Sequence, residues 1–346
     1  MSAPGTRGAG ILARIASERA GDVLRARRLR PEGSLFRAAS APRPLFRAAR
    51  DFVLIAECKR ASPSRGLMVE CYDPVRIASA YERGGAGALS VLTEPRHFLG
   101  ADDDLRSVRA ASALPVLRKD FIVDAYQLRE AWAIGADAVL LIAAILDEAR
   151  IARLAEAAHG LGLEVLLEIH GEDELEIAER VAAAGLADAV GVNSRDLATF
   201  AVDGERSSRF SGRLADRLPA GVRRVAESGL HSGEEAAALA ALGYDAFLVG
   251  EHFVTAADPE KAVRHFVEQI SARDSAEGLH SHKLPARLGE TVSLRRDAAT
   301  EAATEAATEA ATEAATDAAT DAATDAPGPH AGLTGAFQGG PGCARK

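Results

Sequence analysis

Six residues with the chemistry of proton transfer and hydroxyl recognition stand where short apolar runs end: Glu57 and Lys59, Lys119, Glu168, Asn193 and Glu227. In an extended run side chains alternate faces, so Glu57 and Lys59 share one and Cys58 points to the other. Lys119 and Phe121 fall on the face of Leu117, Glu168 is in register with Leu166, and Arg195 follows Asn193 by two residues. A single polar residue at a strand end is ordinarily just solvated. Gathered around one opening, alternating carboxylates and ammoniums pair with one another, which offsets the cost of burying them, and they shift one another's pKa values. Such shifts are what acid–base catalysis at neutral pH requires.

A second set suits an anion. Ser228-Gly229 follows one apolar run and Gly250-Glu251 the next, where glycine lets backbone N–H groups approach a phosphate and a following helix start adds a favourable dipole. Ser62, in SPSRG, offers a third contact. The glycines of GGAGAL open no helix, which rules against a dinucleotide fingerprint.

These residues need a scaffold that brings distant run ends together. Eight apolar runs alternate with amphipathic stretches: Val53–Glu57, Ala88–Leu92, Pro115–Leu117, Ala138–Ile142, Glu164–Ile169, Ala189–Val192, Val222–Ala226 and Ala246–Val249. Continuously apolar strands separated by helices indicate a parallel sheet covered on both faces. Asp73-Pro74 starts one helix, and Ser232 with Glu235 has capping-box spacing. The words GGAGALSVL, IGADAVLLI, GLADAVGVN and LGYDAFLVG lead into the second, fourth, sixth and eighth runs, with Gly85, Gly135, Gly185 and Gly243 as helix C-caps. A recurrence every two units favours a closed (β/α)8 TIM barrel over an open Rossmann-like sheet, and places the active site at the C-terminal strand ends, with a phosphate site after the seventh and eighth. An extra N-terminal helix is expected over Ile11 to Leu29, with a stripe of Ile11, Leu12, Ile15, Val23 and Leu24. The last barrel helix is expected over roughly Pro259 to Ser271.

The segments IAECKRASPSRGLM, LSVLTEPRHFLG, PVLRKDFIVDAYQLREA, GLEVLLEIH, VGVNSRDLATFAVD, VAESGL and DAFLVGEHF resemble the signature segments of the indole-3-glycerol phosphate synthase family, in order, over about residues 10–270. The resemblance implies ring closure, decarboxylation and dehydration of 1-(2-carboxyphenylamino)-1-deoxy-D-ribulose 5-phosphate in tryptophan biosynthesis. It implies Lys119 as general acid, Glu168 as general base, Lys59 as partner of the anthranilate carboxylate or helper of hydroxide loss, and Glu57 as its orienting group. Asn193, Glu227 and Arg195 would bind substrate, Phe121 and Leu140 would line the aromatic pocket, and Ser62, Ser228, Gly229, Gly250 and Glu251 would hold phosphate. No cofactor and no metal are implied. Ser194 departs from an expected asparagine, Glu251 from the serine of some relatives, and Arg65 replaces a lysine while keeping the charge. Rival readings are another phosphosugar isomerase, a Schiff-base aldolase using Lys119, or a catalytically silent barrel serving as scaffold.

Composition narrows the classes. Apolar residues at 47% and charged residues at 26% allow a large core, and aromatics at 5% suit an aliphatic one. The formal net charge of −9 is concentrated: eight carboxylates from Asp297 to Asp325, with no base among them, leave the rest about −1. That balance offers nothing to nucleic acid. No apolar run reaches the ~20 residues that span a bilayer, and the start lacks a secretory h-region. Cys58, Cys71 and Cys343 have neither zinc nor disulfide-framework spacing, so reduced thiols and a cytoplasmic enzyme with a small phosphorylated substrate are expected. Residues 1–9 read as disordered, 10–272 as the catalytic barrel, and 273–346 as a low-complexity acidic tail, disordered or partly helical. Its acid-Ala-Ala-Thr repeat sets like charges at i,i+4 without an apolar stripe, and its only evident use is contact with some partner.

Overall fold

The computed structural model describes residues 10–37, 40–48, 52–196 and 201–277, with side chains up to residue 272. The expectations for residues 1–9 and for the repeat tail lie outside the described residues. Eight parallel strands close into a barrel in chain order. They are β1 (Val53–Cys58), β2 (Ala88–Leu92), β3 (Val116–Lys119), β4 (Ala138–Ile142), β5 (Glu164–Ile169), β6 (Ala189–Asn193), β7 (Arg223–Glu227) and β8 (Ala246–Val249). The ring shuts where β1 pairs with β8, from Val53↔Ala246 to Ala56↔Val249. A strand with packed side chains on the inside and helices on the outside has no wet face, which is why these segments read as unbroken apolar runs.

Four strands outrun their apolar segments and carry Cys58, Lys119, Asn193 and Glu227 within the sheet. The ladder continues there because its backbone partners do: Leu92 pairs with Lys119, and Asn193 with Glu227. Lys119, Asn193 and Glu227 therefore stand on paired strands, whereas Lys59 lies just past the end of β1.

The helix signals hold with one shift. Asp73 accepts the N–H of Arg76 ahead of α2 (Pro74–Gly84), which ends at Gly85 with φ of 101°. Gly135, Gly185 and Gly243 are also left-handed, as the recurring words require. Ser232 accepts the N–H of Glu235 at 3.2 Å, but the Glu235 carboxylate accepts from His231 and not from Ser232, so the reciprocal half of the box is displaced by one residue.

The aspartates of the recurring words act at the opposite end of the barrel from the mouth. Asp137, Asp188 and Asp245 accept the N–H of Val116, Val165 and Arg224, each at the start of the preceding strand, at 2.8, 2.8 and 2.9 Å. Glu164 accepts from Leu45 and Phe46 at 2.9 and 2.6 Å, holding two buried apolar residues as a plug beneath the barrel.

The N-terminal helix α1 spans Ile11–Leu29. Ile15 and Val23 are buried, but Leu24 is 60% exposed and leaves the expected stripe. Its neighbour Val23 already faces the barrel, and one residue is a 100° turn of the helix. Arg19 of α1 donates to Asp120 at 2.9 and 2.7 Å, tying the helix to the residue next to Lys119. The final helix runs Pro259–Glu277. Cys58 is buried and free, as a reduced thiol would be. Among the described residues no helix is long and apolar enough to cross a membrane.

Candidate active site

At the C-terminal end of the strands a cavity of about 760 Å³ opens. Glu57, Lys59, Lys119, Glu168, Asn193, Arg195, Phe121, Leu140, Ser62, Ser228, Gly229, Gly250 and Glu251 all line it. Glu227 does not; it is fully buried behind Lys119.

Two ion-paired groups form the charged floor. Lys119 donates to Glu168 Oε2 at 3.1 Å and to Glu227 Oε2 at 2.5 Å. Lys59 donates to Glu57 Oε1 at 2.6 Å, as their shared strand face allows. Burial opposes the charge on Lys119, but Glu168, Glu227 and Glu57 outweigh it and hold the ammonium well above its ordinary pKa. Burial would raise Glu168 as well, yet Lys119 and His170 pull it below the carboxylate range. Glu227 moves the other way: burial dominates, Glu168 adds repulsion, and its carboxyl is pushed upward despite Lys119. Two carboxyls on one lysine are thus driven apart, one ionised and one retaining its proton more readily.

Glycine makes room for these side chains. A Cβ on Gly191 of β6 would lie 2.1 Å from Glu227 Oε1, and one on Gly250 would lie 2.4 Å from Glu57 Oε1. Gly250 thus has a packing role besides the anion role that its position suggested. Across the cavity, Phe121 meets Phe98 with ring centroids 6.0 Å apart, and Leu140, Leu92 and Ile142 complete an apolar wall fit for an aromatic ring. Phe98 is held because Glu94 accepts three successive N–H groups, those of Arg96, His97 and Phe98, at 3.0, 2.6 and 2.9 Å.

The anion side is built from three loops. Ser228 and Gly229 are both left-handed, with φ of 66° and 76°, turning the chain sharply after β7. Ser62 opens the loop after β1, where its Oγ accepts from Arg65 N at 3.3 Å. The Glu251 carboxylate is itself clamped, accepting from Arg65 Nε at 2.7 Å and from Arg195 Nη2 at 3.2 Å. Burial would raise Glu251, but Arg65 and Arg195 hold it below the usual range. A carboxylate between two guanidiniums occupies the place that an anion would take. Asn193 Oδ1 accepts from Arg195 N at 2.9 Å, which leaves its amide NH₂ for the cavity. Ser194, the departure beside it, is buried with its Oγ 3.1 Å from Ser207 Oγ.

Sequence reasoning passed over Phe98, Gly191 and His170. All three lie inside quoted segments, but nothing local distinguishes them from packing residues. Among the described residues no three His, Cys, Asp or Glu are grouped as metal ligands would be.

The chain is similar to known proteins. The family model for indole-3-glycerol phosphate synthase matches residues 12–266. The indole-3-glycerol phosphate synthase of Mycolicibacterium smegmatis is 50% identical over 235 residues, covering 67% of this chain and 84% of the relative. Indole-3-glycerol phosphate synthase 2 of Streptomyces coelicolor is 43% identical over 267 residues, covering 75% of this chain and 99% of the relative. Among solved structures, that of KGPDC from Streptococcus mutans superposes with a TM-score of 0.51 at 14% identity, over 64% of this chain and 99% of that one, a likeness of fold alone.

Proposed function

The chain belongs to the indole-3-glycerol phosphate synthase family, carboxy-lyases of tryptophan biosynthesis, and we propose that Lys119 is its general acid and Glu168 its general base. The substrate is 1-(2-carboxyphenylamino)-1-deoxy-D-ribulose 5-phosphate and the products are indole-3-glycerol phosphate, CO₂ and water. The observation that carries the assignment is the Lys119 ammonium held between Glu168 and Glu227 on the cavity floor.

The ring carbon bearing the carboxylate attacks the keto carbon, and Lys119 gives the ketone oxygen its proton. The C–CO₂ bond then breaks and returns its electron pair to the ring. Loss of hydroxide, assisted by Lys59, and of a proton to Glu168 completes the indole. Sequence in time follows from electrostatics. While Lys119 is charged, Glu168 is a weak base; once Lys119 has given up its proton, that pull disappears and Glu168 becomes basic enough to accept one. Glu57 orients Lys59 through their 2.6 Å contact. Glu227, behind the cavity wall, holds Lys119 instead of a substrate hydroxyl, and that task falls to Asn193. Phe121, Phe98 and Leu140 hold the aromatic ring. Ser62, Ser228, Gly229 and Gly250 hold the phosphate, with Arg65 and Arg195 beside them.

An aldolase using Lys119 as a Schiff-base nucleophile needs a neutral amine, and three carboxylates oppose that. Residues 10–272 form the catalytic unit in this reading, working in the cytoplasm, and the acidic tail serves contacts other than turnover. The test is fluorescence of indole-3-glycerol phosphate formed by the purified protein. Lys119→Met is expected to lose at least ~10²-fold in kcat while keeping its fold; turnover at the original rate strikes out the acid. Turnover that disappears on removing the tail strikes out the catalytic unit as drawn.

A further inference from the structure

His170 follows the last residue of β5 and stands between two carboxylates. Its Nε2 lies 3.2 Å from Glu168 Oε1, and its Nδ1 lies 3.4 Å from Glu174 Oε2. Neither ring nitrogen is aligned as a full hydrogen bond, and the contacts are ionic when the ring is protonated. The same Glu174 oxygen accepts the backbone N–H of His170 at 2.6 Å. Glu174 belongs to the first turn of the helix Glu172–Ala183, so a helix start grips both the backbone and the ring. Glu168 is left with one oxygen toward each of two cations: Oε1 toward His170 and Oε2 toward Lys119. Only 13% of the His170 side chain is exposed. Burial opposes its charge, but Glu168 and Glu174 outweigh it and raise the imidazole above its ordinary value, to about 9.

We infer that His170 is a positioning residue: gripped by Glu174, it fixes the plane of the Glu168 carboxylate that faces Lys119. The inference rests on the reading of Glu168 as base. The charged groups facing His170 are Glu168 from β5 and Glu174 from the helix Glu172–Ala183; Lys119 of β3 reaches it only through Glu168. Without the imidazolium, Glu168 Oε1 loses its anchor and the carboxylate accepts a proton at higher pH. A base protonated before the substrate arrives is no base, and one that swings misses its proton.

The experiment is the pH profile of kcat and KM for wild type, His170→Gln, Glu174→Gln and Glu168→Gln, with thermal melts alongside. His170→Gln is expected to lose roughly ten-fold in kcat with KM little changed, and its acidic limb to move up by about one unit. Glu174→Gln keeps the imidazole but removes one of its carboxylates, so its alkaline limb moves down; it decides the matter if His170→Gln does not fold. A lowered Tm with an unchanged kcat and an unchanged profile overturns the inference. If Glu168→Gln is inactive while the His170→Gln profile superimposes on wild type, His170 alone is struck out. If Glu168→Gln turns over like wild type, the base assignment itself has failed.

Discussion

Gly191→Ala tests whether the acid depends on a carboxylate that the cavity never touches. The added Cβ would lie 2.1 Å from Glu227 Oε1, so that oxygen has to retreat by roughly 1.3 Å to reach ordinary contact. The obstructing atom is the end of a side chain and not backbone, so the fold yields at a cost of about 1–2 kcal/mol, typical of modest overpacking. The other oxygen of the same carboxyl is 2.5 Å from Lys119 Nζ, and Glu227 is fully buried with little room for a second rotamer. Displacing it therefore displaces the ammonium. An ångström of misplacement at a reacting group costs up to ~10²-fold, so kcat is expected to fall far more than stability. Urea unfolding measures the first quantity and product fluorescence the second. A double variant with Glu227→Ala supplies the control: with the obstructing carboxyl gone, the stability cost of Gly191→Ala should largely vanish. A Gly191→Ala protein with wild-type kcat, or one whose lost activity matches its unfolded fraction, would refute the linkage from Gly191 through Glu227 to Lys119.

Three further outcomes are expected. Glu251→Gln removes the negative charge that Arg65 and Arg195 hold, so inorganic phosphate should inhibit several-fold more tightly; unchanged inhibition would place the phosphate elsewhere. Arg19→Ala breaks a buried bidentate pair but leaves Thr93 and Arg118 on Asp120, so unfolding measurements should register a loss of about 3 kcal/mol, and a loss below ~1 kcal/mol would show α1 to be held by other contacts. The folded His170 is raised to about 9 from an ordinary value near 6.5, so its stabilisation is complete below pH 6.5 and is lost as pH climbs through 9. The gap in unfolding free energy between wild type and His170→Gln, at most about 3 kcal/mol, should therefore narrow from pH 6 to pH 10; a constant gap would mean that the ring contributes packing only.

Much of the barrel was legible before any coordinates because burial on both faces leaves a one-dimensional trace. Continuous apolar runs, glycine C-caps and a recurring word fixed the strand count, and strand ends named the residues of the mouth. Period-two alternation was enough to put Glu57 beside Lys59. What the sequence by itself determined was therefore which chemical groups each strand offers and toward which face. What only the tertiary structure decided was which of them meet. Nothing along the chain tells that Glu227 stands behind Lys119 and not in the cavity, because that depends on the closeness of β6 and the missing Cβ of Gly191. Nor does it tell that His170 shares Glu168 with Lys119, that Glu251 sits between two arginines, or that Arg19 reaches Asp120 across 101 positions. Hydrogen-bonding and Coulombic contacts act over a few ångströms in space, and sequence separation carries no record of them.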